Sequence, residues 1–109
     1  MMHTADNIIC SGNRVTVDFT GDNLQDALCF GFSYIESEDH ITNYIVANKK
    51  IMKNILSLPD SVLEPSIDSI GVLWTAKLLV SNKLKDNHIV FSNNSFSAVV
   101  NINLNRNPN

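Results

Sequence analysis

The sequence predicts an α+β domain: an antiparallel β-meander packed by two α-helices, in a single domain. Three observations carry that reading. From residue 70 to 104, apolar and polar residues alternate in runs separated by polar turns. Upstream, two stretches place apolar residues at three- and four-residue steps, the period of a helix with one buried stripe. Hydrophobic residues make up 44% of the 109, enough for a core without disulfide support. Residues 14–105 form the domain, with an N-terminal segment at 1–13 and a tail at 106–109.

"RVTVDF" (14–19) alternates, with Val15, Val17 and Phe19 on one face, and reads as a half-buried strand. "TGDN" breaks it, and Asp22 with Gln25 has the spacing of a reciprocal helix cap. Leu24, Ala27, Leu28, Gly31, Phe32 and Ile35 then make one stripe on a helix of about 16 residues. Gly31 within it costs about 1 kcal/mol relative to alanine, which a close neighbour would explain. "TNYIVAN" (42–48) is a short, largely buried strand, and Asn48 caps a second helix with Ile51, Met52, Ile55 and Leu56 inward. Pro59 stops that helix, and 57–69 reads as a connector with at most one helical turn. "IGVLWTAKLLV" (70–80) reads as one strand with Val72, Trp74, Ala76, Leu78 and Val80 on one face. "SNKLKDN" turns the chain into "HIVF", and "FSAVVNINLN" (96–105) closes the meander with Phe96, Ala98, Val100, Ile102 and Leu104 inward.

Composition narrows the function. Net charge is −3, and the eight Lys and Arg are dispersed except for Lys49, Lys50 and Lys53. Nucleic-acid binding draws most of its affinity from a concentrated basic face, so no direct nucleic-acid partner is expected. The three lysines read as the solvent face of the second helix. No window approaches the ~18 apolar residues of a membrane span. "MMHTADNIIC" has neither a basic region nor a long apolar run, so the expected location is the cytoplasm. Cys10 and Cys29 lack any CxxC spacing and read as two free, mostly buried thiols.

No residue set for catalysis stands out. His3, His40 and His88 are far apart in sequence, in no zinc-ligand spacing, and no metal or cofactor is expected. Cys29 sits on the apolar side of the first helix, where a thiol is inert packing. Neither a GxSxG elbow nor a glycine-rich phosphate loop is present. Glu36, Glu38 and Asp39 read as a solvated helix end, and Trp74, Tyr34 and Tyr44 as core aromatics. Asn93-Asn94-Ser95, formally a glycosylation acceptor, reads as a turn. An enzyme is not expected.

The order of elements resembles the late part of the major capsid proteins of tailed bacteriophages, a fold shared with encapsulin shells. Two features carry the likeness. A buried strand ending in Val46-Ala47-Asn48 opens a short helix, and later Gly71-Val72-Leu73-Trp74 leads through Val80-Ser81 into a polar turn and another strand. The likeness covers about residues 22–104, and Thr75 stands where the family commonly has glycine. It implies the axial domain of a shell subunit, located in a virion or the cytoplasm, and with it a structural, self-associating role as a homo-oligomer that also meets other virion or host proteins. The candidate subunit contacts are Asp60, Glu64 and Asp68 in the connector, Asn82, Lys83, Lys85 and Asn87 in the polar turn, and Asn101 and Asn103 on the last strand. Fifteen asparagines, seven of them from Asn93 to Asn109, fit such contacts, because neutral amides join subunits without desolvating ions. The alternative is a small partner-binding accessory protein of a mobile element, with no catalytic activity.

Overall fold

The computed structural model describes residues 13–37, 41–59, 61–62, 70–93 and 96–104. Nine elements follow in chain order: β1 (Asn13–Gly21), α1 (Leu24–Ser37), β2 (Tyr44–Ala47), α2 (Lys49–Leu56), β3 (Ser61–Val62), β4 (Gly71–Leu73), β5 (Ala76–Val80), β6 (His88–Asn93) and β7 (Phe96–Leu104). The strands form one seven-stranded sheet in the order β1-β7-β6-β2-β5-β4-β3.

The α+β class and the two helices are as expected, but the sheet is mixed and is not an antiparallel meander. β1 runs parallel to β7, and β2 runs parallel to β5, while the other neighbours are antiparallel. The run 70–80 is itself a hairpin, β4 and β5, joined at Trp74-Thr75, with Leu73 opposite Ala76. β5 does not pair with β6, because β2 lies between them. Local alternation reports which face a residue uses; it does not report which strand lies alongside. The apolar run of β2, buried at Ile45, Val46 and Ala47, is what a central strand covered on both faces requires.

Breaking 70–80 at the turn reassigns its faces. Leu73, Ala76 and Leu78 point to the helices, and Val72 falls opposite Lys77 on the other face. Trp74 is the sole positive-φ residue other than glycine among those described, at φ 54°, a position where two-residue hairpins favour glycine. Its ring meets Phe32 edge-to-face at 4.7 Å, and the neighbouring Thr75 hydroxyl donates to the Thr42 carbonyl at 3.2 Å. These contacts oppose the backbone strain.

Both helices lie on one face. The crossovers β1-α1-β2 and β2-α2-β3 join strands that run the same way and advance in one direction across the sheet, so a common right-handed connection puts both helices on the same side. One core joins Ala27, Leu28 and Ile35 of α1 to Met52 and Ile55 of α2 over Ile45, Leu78, Ile89, Phe91 and Val100. On the opposite face Val99, Val90, Val46 and Leu79 are aligned across four adjacent strands, and Leu84 and Tyr44 pack against them.

The caps differ in one place. α2 begins as expected, with Asn48 Oδ1 accepting from Ile51 N at 2.9 Å. At α1 the cap is Asn23, whose Oδ1 accepts from Asp26 N at 2.8 Å, one residue later than expected. Cys29 is exposed, contrary to the buried thiol expected, because it lies about 100° round the helix from Leu28 and outside the buried stripe. Cys10 lies outside the described residues. The connector after α2, expected to carry at most one helical turn, holds the short strand β3.

Gly31 has the close neighbour its position demanded. A β-carbon there would fall inside the van der Waals envelope of the fully buried Phe91 ring. Gly31→Ala gains about 1 kcal/mol of helix propensity and loses up to about 3 kcal/mol by overpacking. Urea denaturation of G31A is expected to show a net loss of about 1–2 kcal/mol, with F91L in the same chain recovering part of it. A G31A variant as stable as the wild type would show that Phe91 does not constrain α1.

Candidate functional site

The polar side chains cluster where the chain crosses the end of β2. β5 and β2 finish at the same end of the sheet, with Val80 opposite Ala47, and β6 starts on the other side of β2. Residues 81–87 must therefore pass over the end of β2. Ser81 N donates to Ala47 O at 3.0 Å as the crossing begins. Asn48, buried at that end, holds the rest: its Nδ2 donates to Asp86 Oδ1 at 2.6 Å and to Leu84 O at 3.4 Å, while its Oδ1 caps α2. One amide thus fixes both segments leaving the central strands. Lys50 Nζ reaches Asp86 Oδ2 at 3.5 Å, but both side chains are largely solvated and the pair adds little.

A second amide clamp closes the other end of β2. Asn93 Nδ2 donates to Ile41 O at 2.8 Å and to Asn43 Oδ1 at 3.1 Å. A third set runs across the polar face: Asn87 Nδ2 donates to Asn101 Oδ1 at 2.7 Å, and Asn101 Nδ2 donates to Asp18 Oδ1 at 3.0 Å, tying the crossing loop through β7 to β1.

The candidate contact residues are therefore divided. Asn87 and Asn101 are engaged within the chain. Asn82, Lys83 and Lys85 are exposed on the crossing loop, and Asn103 is exposed on β7. Asp60, Glu64 and Asp68 lie outside the described residues. Neither Asp39 nor His40 is described, and among the described residues no three ligating side chains form a metal-binding group. The three aromatics do not share a pocket: Trp74 is at a hairpin tip, Tyr34 stacks on Phe96 at 6.3 Å, and Tyr44 lies on the far face of the sheet.

Among the described residues, three of the concavities at the surface bear on function. One, of about 350 Å³, lies between the start of α1 and α2, lined by Leu24, Ile51, Asn54, Ile102 and Asn103 with Asp86 and Asn87 at its rim. A shallow one of about 320 Å³ runs between α1 and the β4–β5 tip, with Cys29, Phe32, Ser33, Glu36, Trp74 and Thr75. The third, of about 400 Å³, has a floor of Met52, Leu56, Ile70 and Val80 between Lys49 and Lys53. Their ionisable members are Asp86 in the first, Cys29 and Glu36 in the second, and Lys49 and Lys53 in the third. Their exposed apolar members are Trp74, 39% accessible, and Ile70, 37%.

Sequence reading missed these grooves because each combines residues far apart in the chain. Ile70 and Val80 meet Met52 and Leu56 only once β5 lies beside β2. The signal within reach was the stripe of α2, whose Leu56 extends past the buried Met52 and Ile55 towards the lysine side.

Asn48 supplies the test of the junction. Asn48→Ala removes a cap worth about 1 kcal/mol and strands the Asp86 contact, so a loss of about 2 kcal/mol in thermal or denaturant unfolding is expected. Asn48→Asp keeps a capping oxygen but sets it against the Asp86 carboxylate, and its loss is expected to shrink when Asp86→Asn is added. Equal stability of N48D with and without D86N would contradict the tether.

No helix among the described residues is long and apolar enough to cross a membrane. Comparison with known proteins finds no match: no family model, no curated protein and no solved structure is similar to the chain.

Proposed function

We propose that this protein is a structural domain that associates with copies of itself, of the kind that the axial domain of a phage shell subunit represents. It performs no catalysis. The observation that carries this reading is the pair of apolar grooves flanking the helical layer, with Trp74 exposed in one and Ile70 in the other. Large apolar side chains left half-open in a groove, tryptophan above all, are the residues that dominate protein–protein association. The grooves bring no set of ionisable groups together as a reaction would need.

Two further features support it. The junction β2–Asn48–α2, with β5 parallel beside β2 and a polar crossing loop after it, keeps the elements on which the resemblance rests in one contiguous unit. The polar surface at β7 and the crossing loop is held by amides within the chain, which gives a rigid face and lowers the ordering cost of association.

Light scattering across a concentration series is expected to show mass rising above that of one chain, with rings or larger particles at the upper end. Trp74→Ala is expected to weaken that association while leaving far-ultraviolet circular dichroism unchanged. A strict monomer at every concentration would remove this reading. A monomer that instead binds one specific foreign protein would replace it with a partner-binding accessory role.

A further inference from the structure

The charges of the helical layer are sorted by helix. The exposed face of α1 carries Asp26 and Glu36 and no cation, with the neutral Cys29 and Ser33 between them. The exposed positions of α2 include Lys49, Lys50 and Lys53 and no acid. The two helices lie over different strands of the same sheet face, α1 against β7, β1 and β6, α2 against β2, β3 and β5. Among the described residues, the exposed helix positions are therefore acidic on α1 and basic on α2, where Lys49 and Lys53 line the groove and Lys50 faces Asp86. Each side also has its own apolar groove: Phe32 and Trp74 beside Glu36 on α1, and Met52, Leu56, Ile70 and Val80 between Lys49 and Lys53 on α2.

Two unlike patches on one molecule, complementary to each other, let each copy offer its first patch to the second patch of another. Like patches would repel here: α2 against α2 sets lysines against lysines, and α1 against α1 sets carboxylates against carboxylates. We propose that copies of this chain join through these two surfaces, the lysine-rimmed groove at α2 of one copy receiving the acidic face of α1 of another. This rests on the self-association proposed above and names its two surfaces. The apolar lining supplies the attraction, and the charges exclude contacts of α1 with α1 and of α2 with α2. The grooves are formed by side chains already packed on the core, so little ordering is needed on contact.

The experiment is a charge-swap complementation. K49E/K53E carries acidic groups at both surfaces, and D26K/E36K carries basic groups at both. All four positions are exposed, and circular dichroism with thermal melting checks that each variant folds. Each variant alone is expected to lose association by about tenfold or more, and an equimolar mixture to regain it, since each then meets its complement. For the wild type, raising salt from about 50 mM to about 500 mM is expected to weaken association, as screened charges require. Association that persists in both variants and ignores salt would overturn this contact and leave self-association standing through other surfaces. Loss in both variants without recovery in the mixture would also overturn it. A wild-type chain that stays monomeric would remove both the contact and the reading beneath it, leaving the lysine-rimmed groove to an acidic helix of a different protein.

Discussion

Everything in this fold depends on β2 lying between β5 and β6. Inserting a strand between two others that follow each other in the chain obliges the connection between them to cross over its end. That crossing must be held there at low cost, with its polar groups satisfied. Asn48 does this with one side chain, donating to the crossing loop and accepting from the first turn of α2. An aliphatic residue there would leave the Ile51 amide and the Asp86 carboxylate without that partner. A charged one would add a like charge or a desolvation cost. The amide satisfies both neighbours and brings no net charge into a buried position.

The same logic explains why the chain is rich in asparagine. Asn23 and Asn48 cap the helices, Asn93 and Asn43 close the start of β2, and Asn87 with Asn101 joins the crossing loop to β7. Asn48 and Asn101 each use the amide as donor and acceptor from one short side chain. Much of the asparagine that composition alone assigns to subunit contacts therefore works inside the molecule. What is left outside is less polar than expected: Trp74, Ile70 and the apolar floors beside them.

How far the sequence was legible follows from the range of each signal. Helix stripes, the Asn48 cap and the crowding at Gly31 depend on neighbours within a turn or on volume, and they read correctly. β2 was visible as a buried apolar run, which is the mark of a central strand, yet nothing local says between which strands it sits. That missing fact turned a mixed sheet into a meander. The Trp74-Thr75 turn was hidden because it lacks the glycine that such a hairpin favours. Its strain is opposed by Phe32, 42 positions away in sequence by subtraction of the two residue numbers. The grooves were illegible for the same reason, since their walls come from α2, β5 and the residue before β4.

Function follows from what this scaffold leaves available. With the central strand pinned at both ends, the two helices present a rigid layer whose halves differ in charge and share an apolar character, a surface suited to repeated contact. β2 is the innermost strand and carries the fold. Native-state hydrogen exchange measures this directly. The amides of Ile45, Val46 and Ala47 are predicted to be among the last to exchange, together with Val90 and Leu78 on the flanking strands. Early exchange across β2, with β6 and β7 still protected, would show that the sheet holds together without it and would contradict the account.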